Sequence, residues 1–450
     1  MAAKPPPLNA PQTGELPLDR ALSLDVSGEA EGALRWAVPL AKSDLTAPGP
    51  LFVVGRQLRK LNQKDLAVQA LETAADRAAD SGNLPMALAS IAELAALGAD
   101  TSERAESISK AYAKGSERLT RASAPSMPPF APPELSPLPA ATAGPALIEA
   151  TSQLVEYARA AQDGDRSKQK SPKALPTQSL FSSLSAPALR ALMGAFEVRV
   201  VAKGEKIIEQ GAPGAEAFVL ARGELEVFRE QEGQEPILLA RLGSGAVFGE
   251  MALLSRSPRA ASVVAARASV VLIIRAEALD EVASKSPEVG SVIAGYCHRR
   301  MVANLVRTSP LLASLSAGER QALIERFKAR TFETGDKIIS EGEESDGLHV
   351  VASGSLSVVR NEGGEDVVIA QIGVGEVAGE VSLVFRRPSN ADVVAAHPTM
   401  TLFLPRSRFM EIVREHPTLL SQLYELAAKR DDETASIAAA EASDATDLII

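Results

Sequence analysis

The chain has 450 residues, of which 46% are hydrophobic, so it is long enough for about three domains with ordinary apolar cores. Its formal net charge of −10 at pH 7 gives no indication of a general affinity for nucleic acid or anionic lipid. The single cysteine, Cys297, excludes an intrachain disulfide and a cysteine-based metal cluster, as is typical of a reducing compartment. The first residues lack a signal-peptide core, and no apolar run reaches the ~18 residues needed to span a bilayer. We therefore expect a cytoplasmic protein that has neither nucleic acid nor a membrane as a partner.

Residues 1–31 are polar and carry several prolines, and they are expected to form a disordered lead-in. In residues 32–116 apolar side chains recur at helical spacing between proline, glycine and asparagine breaks, which predicts a stack of short antiparallel helices. The predicted helices are 33–43, 51–61, 64–79, 84–97 and 101–114. The segment has no catalytic constellation, so its expected role is to bind another protein.

Residue sizes within this stack resemble a tetratricopeptide (TPR) repeat. Small residues at Gly55, Ala67 and Ala74 would let two helices approach closely. Leu58 and Leu71 would fill the space between those helices. Because the aromatic and proline signatures of the repeat are missing, a generic helical bundle is the alternative.

Residues 117–178 are expected to form a Pro/Ala-rich linker that contains one short helix at about 146–162. The stretch 122–145 is dense in proline, alanine and serine, which predicts an extended spacer rather than a packed element. The charged stretch 163–176 is interpreted as a solvated linker.

The remainder of the chain holds two copies of one pattern, in residues 179–306 and 307–430. Three glycines of the first copy recur 131 residues later, as Gly204, Gly211 and Gly223 and then Gly335, Gly342 and Gly354. Within each copy, short alternating runs are separated by glycine turns, which predicts a jelly-roll β-barrel with flanking helices. Residues 431–450 are acidic and alanine-rich, and they are expected to form a frayed or disordered tail.

One segment of the first copy, Phe248 to Val263, has residue types that suit the phosphate ester of a sugar. Glu250 can accept a hydrogen bond from a ribose hydroxyl, while Arg259 offers a planar fork of donors to phosphate oxygens. Small residues around them let the backbone approach a ligand closely. The candidate binding residues are Gly249, Glu250, Met251, Ala252, Arg259, Ala260 and Ser262. A structural turn with a buried Glu250–Arg259 ion pair is the alternative.

This segment resembles the phosphate-binding cassette of the cyclic nucleotide-binding domain family, which includes regulatory subunits of cAMP-dependent protein kinase and bacterial cAMP receptor proteins. The resemblance implies that Glu250 binds the ribose 2′-hydroxyl and that Arg259 binds the exocyclic phosphate. It also implies that backbone amides near Ala252 and Ala260 complete the cradle, and that the helices at about 277–306 act as a lid. In family members that prefer cGMP a threonine often follows the cassette arginine. Ala260 stands there, so cAMP is the expected ligand and cGMP the less favoured one.

The second copy of the cassette, Ala378 to Val393, keeps the glycine and the carboxylate but loses the cation. Ser389 takes the place of the arginine, and Asp392 takes the place of Ser262. Losing a charge-assisted contact of about 1.5–3 kcal/mol weakens anion binding roughly 10- to 150-fold, so this site is expected to be degenerate. Its residues are Gly379, Glu380, Ser382, Ser389 and Asn390. Arg386 or Arg387 would have to replace the missing cation.

The predicted fold is multidomain α + β, with an N-terminal α-helical TPR-like module followed by two jelly-roll β-barrel cyclic nucleotide-binding domains with flanking helices. The predicted function is that of a non-enzymatic cytoplasmic receptor, which couples cAMP binding in the first domain to an unknown protein partner of the helical module. No catalytic or metal site is expected, since the residues before the barrels show no phosphate loop or histidine-based triad. A constitutive scaffold with two structural barrels is the alternative. A transcription factor is disfavoured, because no helix-turn-helix follows either barrel.

Overall fold

The structure is a computed structural model. It describes residues 15–120, 135–168, 174–230, 235–255, 258–308, 315–316, 318–319, 323, 326–362, 365–417 and 419–431. The chain forms two compact units. The first contains the residues up to Gln210, with Glu216–Glu250 and Ala261–Ile293, and the second contains Gly211–Ala215, Met251–Ala260 and the residues from Ala294 onward. Among the described helices, none is both long and apolar enough to cross a membrane.

The first unit begins with six helices that pack in chain order. They are α1 Pro17–Val26, α2 Ala30–Ser43, α3 Pro48–Lys60, α4 Lys64–Asp80, α5 Leu84–Ala96 and α6 Ser102–Tyr112. Helices α3 and α4 approach closely at Gly55, where an added Cβ would lie 2.5 Å from Cγ of Leu71. The small residue predicted at this position is therefore required for the packing. Any tight helical hairpin has this requirement, so the TPR assignment stays a prediction.

Helix α1 lies within the segment expected to be disordered, and for residues 17–26 that expectation is wrong. Leu22 is fully buried, and Asp19 is 5% exposed. Asp19 forms ion pairs with Arg222 at 2.7 Å and with Arg267 at 2.6 Å, and both arginines come from the first barrel. The helix is stabilised by partners more than 200 residues away in sequence, which local composition does not reveal. Residues 1–14 lie outside the described residues.

The expected linker is also more ordered than predicted. Helix α7, Gly144–Lys168, is longer than the expected 146–162 and packs against α2 and α4. Arg77 of α4 donates a hydrogen bond to the carbonyl of Ala158 at 2.5 Å. Further along, two short strands pair in parallel and the helix α8 follows: β1 Leu119–Thr120, β2 Leu175–Pro176 and α8 Ala186–Met193. Much of the proline-rich spacer (121–134), part of the charged stretch (169–173) and the tail (432–450) lie outside the described residues.

The first barrel consists of two four-stranded antiparallel sheets with the orders β3-β10-β5-β8 and β4-β9-β6-β7. The strands are β3 Glu197–Val201, β4 Lys206–Ile208, β5 Glu216–Arg222, β6 Leu225–Arg229, β7 Ile237–Leu242, β8 Val247–Phe248, β9 Ser262–Ala265 and β10 Ser269–Arg275. Phe218 and Phe248 stack in its core with ring centroids 5.1 Å apart. Two helices follow: α10 Ala276–Lys285 and α11 Pro287–Thr308.

The helical layer covers one sheet of this barrel, since α1 packs against β3 and α5 packs against β3, β5 and β10. Strand β10 is therefore buried along its length except at its last residue. This explains its continuous apolar sequence, because a strand covered on both faces has no reason to alternate. The helices and the first barrel therefore belong to one compact unit.

The second unit contains a barrel with the same strand order, in sheets β11-β18-β13-β16 and β12-β17-β14-β15. The strands are β11 Lys328–Phe332, β12 Lys337–Ile339, β13 Gly347–Ser353, β14 Leu356–Glu362, β15 Glu365–Ile372, β16 Val377–Ala378, β17 Asp392–Ala395 and β18 Thr399–Pro405. The register shift within Lys206–Ile208 recurs within Lys337–Ile339. The helices are α12 Glu380–Phe385, α13 Arg406–Glu415 and α14, residues 419–431. The predicted repeat is confirmed, and so is the predicted order of an N-terminal helical module followed by two antiparallel β-barrels with flanking helices.

Candidate functional site

The carboxylate of the first cassette lies at the end of strand β8. Gly249 adopts a φ of 70°, in the left-handed region that favours glycine, and this turn directs the chain from β8 into the short helix α9, Met251–Ser255. Glu250 sits at the turn and is only 5% exposed. Ionisable side chains are rarely this buried unless they are paired or functional. Ala252 in α9 is also buried, and Met251 packs against the apolar cluster that contains Leu348.

The arginine of the first cassette lies against the loop Gly211–Ala215. Its backbone amide donates to the carbonyl of Ala212 at 2.9 Å, and the amide of Gly211 donates to the carbonyl of Arg259 at 2.8 Å. A Cβ added at Gly214 would overlap the guanidinium of Arg259 and would lie 2.5 Å from its Nη2. Arg259 is 8% exposed. The absence of a side chain at position 214 therefore provides the space in which the guanidinium lies.

Gly214 was missed by sequence reasoning, although the sequence contained a signal. The first copy has Gly214 with Arg259, whereas the second copy has Ser345 and Ser389 at the corresponding positions. The two positions differ together, as expected of a pair in contact.

Two further predicted residues have contrasting surroundings. The hydroxyl of Ser262 accepts a hydrogen bond from the amide of Gln210 at 2.9 Å and donates one to Glu230 at 2.7 Å. The hydrogen bond from Ser262, followed by one from Lys206, lowers the pKa of the Glu230 carboxyl. Ser262 thus ties β9 to the ends of β4 and β6, while Ala260 is exposed.

The second cassette reproduces the backbone of the first. Gly379 has a φ of 88°, and Glu380 is 2% exposed. The amide of Gly342 donates to the carbonyl of Ser389 at 2.8 Å, as Gly211 does to Arg259 in the first copy. The side chain of Ser389 is turned to its own chain, because its hydroxyl donates to the carbonyl of Ala391 at 2.8 Å.

The remaining side chains of the second cassette also contact their own domain. Ser382 accepts from the amide of Ser345 at 3.0 Å and donates to the carbonyl of Arg387 at 2.7 Å. Asp392 accepts from Lys337 at 2.6 Å, and this hydrogen bond lowers the pKa of the Asp392 carboxyl despite partial desolvation. The carboxylate that takes the place of Ser262 is thus paired with a lysine.

Two basic residues of the second unit lie close to cassette groups. Arg430 of helix α14 donates to Glu380 at 2.6 Å and to the carbonyl of Val377 at 2.5 Å. Arg387 pairs with Asp431, which also accepts from Asn390 at 3.2 Å. Sequence reasoning found Glu380 and Asn390 but missed Arg430 and Asp431, since nothing local connects them with the cassette.

One segment in each barrel matches a known family model. Residues 198–286 and 329–416 match the family model described as "Cyclic nucleotide-binding domain". The cAMP-dependent protein kinase type II regulatory subunit of Drosophila melanogaster is 29% identical over 216 residues, 48% of this chain and 54% of that protein. The cAMP-dependent protein kinase regulatory subunit of Yarrowia lipolytica is 29% identical over 236 residues, 52% of this chain and 58% of that protein. The chain thus spans somewhat more than half the length of these curated relatives.

Similar solved structures include the regulatory domain of Toxoplasma gondii PKA crystallised with cAMP. It is 22% identical with a TM-score of 0.28, and the match covers 56% of this chain and 92% of that chain. Another is the regulatory subunit of a cAMP-independent protein kinase A from Trypanosoma cruzi bound to guanosine. It is 22% identical with a TM-score of 0.26, and the match covers 56% of this chain and 85% of that chain.

Proposed function

We propose that this chain, which carries two cyclic nucleotide-binding domains, is a non-enzymatic receptor. Its first domain binds one cyclic nucleotide, and its second domain binds none. The observation that supports this most directly is the difference at one position of the two cassettes. Arg259 lies in the space left open by Gly214, whereas Ser389 donates its hydroxyl to its own backbone. The first cassette therefore has a cation at the position where the second has a neutral serine.

Each proposed contact in the first domain follows from the chemistry of the side chain. The Glu250 carboxylate accepts hydrogen bonds, so it receives a ribose hydroxyl. The Arg259 guanidinium donates in a fork that matches two phosphate oxygens. Both side chains are at most 8% exposed, and electrostatic contacts are stronger where water is excluded. We propose cAMP as the preferred ligand, because Ala260 lacks a hydroxyl with which to read guanine.

The output of the receptor is proposed to be a change in how the helical layer α1–α6 binds a protein partner. Because α1 and α5 pack directly on the first barrel, a ligand that stabilises one conformation of the barrel also changes the equilibrium of these helices. The curated relatives are named as regulatory subunits of a kinase, which suggests a kinase catalytic subunit as one class of partner. Residues 1–196 contain no Arg-Arg-x-Ser/Ala sequence.

Calorimetric titration of the full chain with cAMP and with cGMP tests the proposal. We expect one cAMP per chain, weaker cGMP binding, and loss of most binding in Arg259→Ala. Arg241→Ala is the matched control, because Arg241 is a 64% exposed arginine on strand β7 of the same barrel. Two sites in the wild type, or unchanged affinity in Arg259→Ala, would contradict the proposal. Absence of binding by either nucleotide would favour the constitutive scaffold.

A further inference from the structure

Strand β7 forms an open edge of the first barrel. It lies at the end of the order β4-β9-β6-β7, and within the described part of the chain it pairs only with β6. Ile237, Leu238 and Leu239 follow one another in this strand, and each is 45% exposed. Successive side chains point to opposite faces of a strand, so both faces of β7 are uncovered here. An exposed apolar run on an open edge is a site where a further strand can pair.

The corresponding strand of the second barrel, β15, shows that this exposure is not a property of the fold. Both strands end their sheets, and both carry a bulge, at Leu239 and at Ile369. In β15, however, the exposure of apolar residues alternates: Val368 is 54% exposed, whereas Val367 and Ile369 are half-buried. The uncovered run of three apolar residues is therefore specific to β7.

The charges around this run are arranged symmetrically. Glu235 lies three residues before Leu238 and Arg241 lies three residues after it, and both charged side chains are exposed. In an antiparallel pair of two β7 strands centred on Leu238, Glu235 of each copy lies opposite Arg241 of the other. Opposite charges that face each other across two strands stabilise their pairing. Arg241 is 64% exposed beside Glu226 of its own chain, so its guanidinium has donors left for a second carboxylate.

Strand β15 lacks this symmetry. Glu365 lies three residues before Val368, but the residue three places after Val368 is the neutral Gln371. Two copies of β15 paired about Val368 would bring no opposite charges together. The charge pattern therefore favours a second copy of the chain as the occupant of the β7 edge.

We propose that β7 is a self-association edge, through which two copies of this chain pair in antiparallel fashion about Leu238 and join two four-stranded sheets into one. The pair closes as a dimer, because each copy uses the same edge. Pro236 lies opposite Ala240 in this register and has no N–H, which keeps the ladder short. The inference goes beyond the proposed function and does not depend on it, since the cassette carboxylate and arginine lie outside β7.

Sedimentation equilibrium of the full chain tests the dimer. Residue 238 faces itself across the two-fold axis, so Leu238→Lys places two like charges at the centre of the interface. The Kd of the dimer should rise about 10-fold or more. Val368→Lys is the matched control, since it makes the same change at the corresponding exposed residue of β15, and its Kd should equal that of the wild type. An unchanged Kd in Leu238→Lys would overturn the proposal. A monomeric wild type would also overturn it and would leave the edge to a strand of another protein.

Cysteine cross-linking tests the register without adding charge to the edge. Opposite residues of antiparallel strands have Cβ atoms about 4.5–5.5 Å apart, so Leu238→Cys should form an interchain disulfide under mild oxidation. Val368→Cys should cross-link about 10-fold more slowly, because it depends on chance collisions. The native Cys297 is fully buried, so the wild type gives the background. Ile237→Cys chains should cross-link faster with Leu239→Cys chains than with one another. Equal rates for Leu238→Cys and Val368→Cys would overturn the proposal.

Discussion

Replacement of Gly214 by alanine should weaken nucleotide binding while leaving the fold intact. The added Cβ would overlap the guanidinium of Arg259, because it would lie only 2.5 Å from Nη2. Ordinary van der Waals contacts of a Cβ are 3.4–4 Å. The obstructing atoms belong to the far end of a flexible side chain, so the arginine can rotate away at little cost to stability. The backbone at Gly214 lies outside the left-handed region, so alanine introduces no strain of its own.

The size of the effect follows from the contact that is lost. A guanidinium moved by about 1 Å no longer matches two phosphate oxygens, and a charge-assisted hydrogen bond contributes about 1.5–3 kcal/mol. We therefore expect the Kd for cAMP to rise about 10- to 150-fold. Isothermal titration calorimetry measures the Kd, and circular dichroism checks the fold.

Gly243→Ala is the matched control, because Gly243 lies in a surface turn of the same barrel with open space around it and an ordinary φ. Its Kd should equal that of the wild type. If Gly214→Ala binds cAMP as tightly as Gly243→Ala does, the guanidinium of Arg259 does not bind the phosphate from its place beside Gly214.

Three further predictions concern other parts of the chain. Ala260→Thr adds a hydroxyl beside the cassette arginine and should narrow the preference for cAMP over cGMP, as measured by competition. Asp19→Ala removes the carboxylate shared by Arg222 and Arg267. The free energy of unfolding, measured by urea titration, should fall by about 3–5 kcal/mol. An unchanged midpoint of the titration would show that the helical layer does not depend on this cluster. Burial lowers the pKa of His349 from 6.5 to about 4, because the buried ring resists protonation. The folded second barrel is therefore favoured above pH 6.5, where the ring is neutral in both the folded and the unfolded chain. This stability is lost as the pH falls toward 4. Between pH 6.5 and 5 the loss should be about 2 kcal/mol and should shrink in His349→Gln, as measured by unfolding at both pH values.

The sequence was most informative where a physical requirement is local. Glycine turns and alternating apolar residues predicted both barrels, and the carboxylate and arginine of the first cassette identified it without any distant information. Helix α1 was missed because its polar sequence is stabilised by Arg222 and Arg267, which lie far along the chain. Arg430 was missed for the same reason, since its position over Glu380 depends on the path of helix α14.

The paired difference between Gly214 with Arg259 and Ser345 with Ser389 bears on how a duplicated domain changes over evolution. In a copy whose cassette carries the arginine, a side chain in the facing loop is disfavoured, because it overlaps the guanidinium. Where Ser389 replaces the arginine, the loop has room for a side chain, and Ser345 stands there. An arginine regained later at position 389 would meet that serine and gain no function by itself. The geometry of the first copy therefore needs a change at both positions of the second copy, since Ser389→Arg alone would meet the side chain of Ser345.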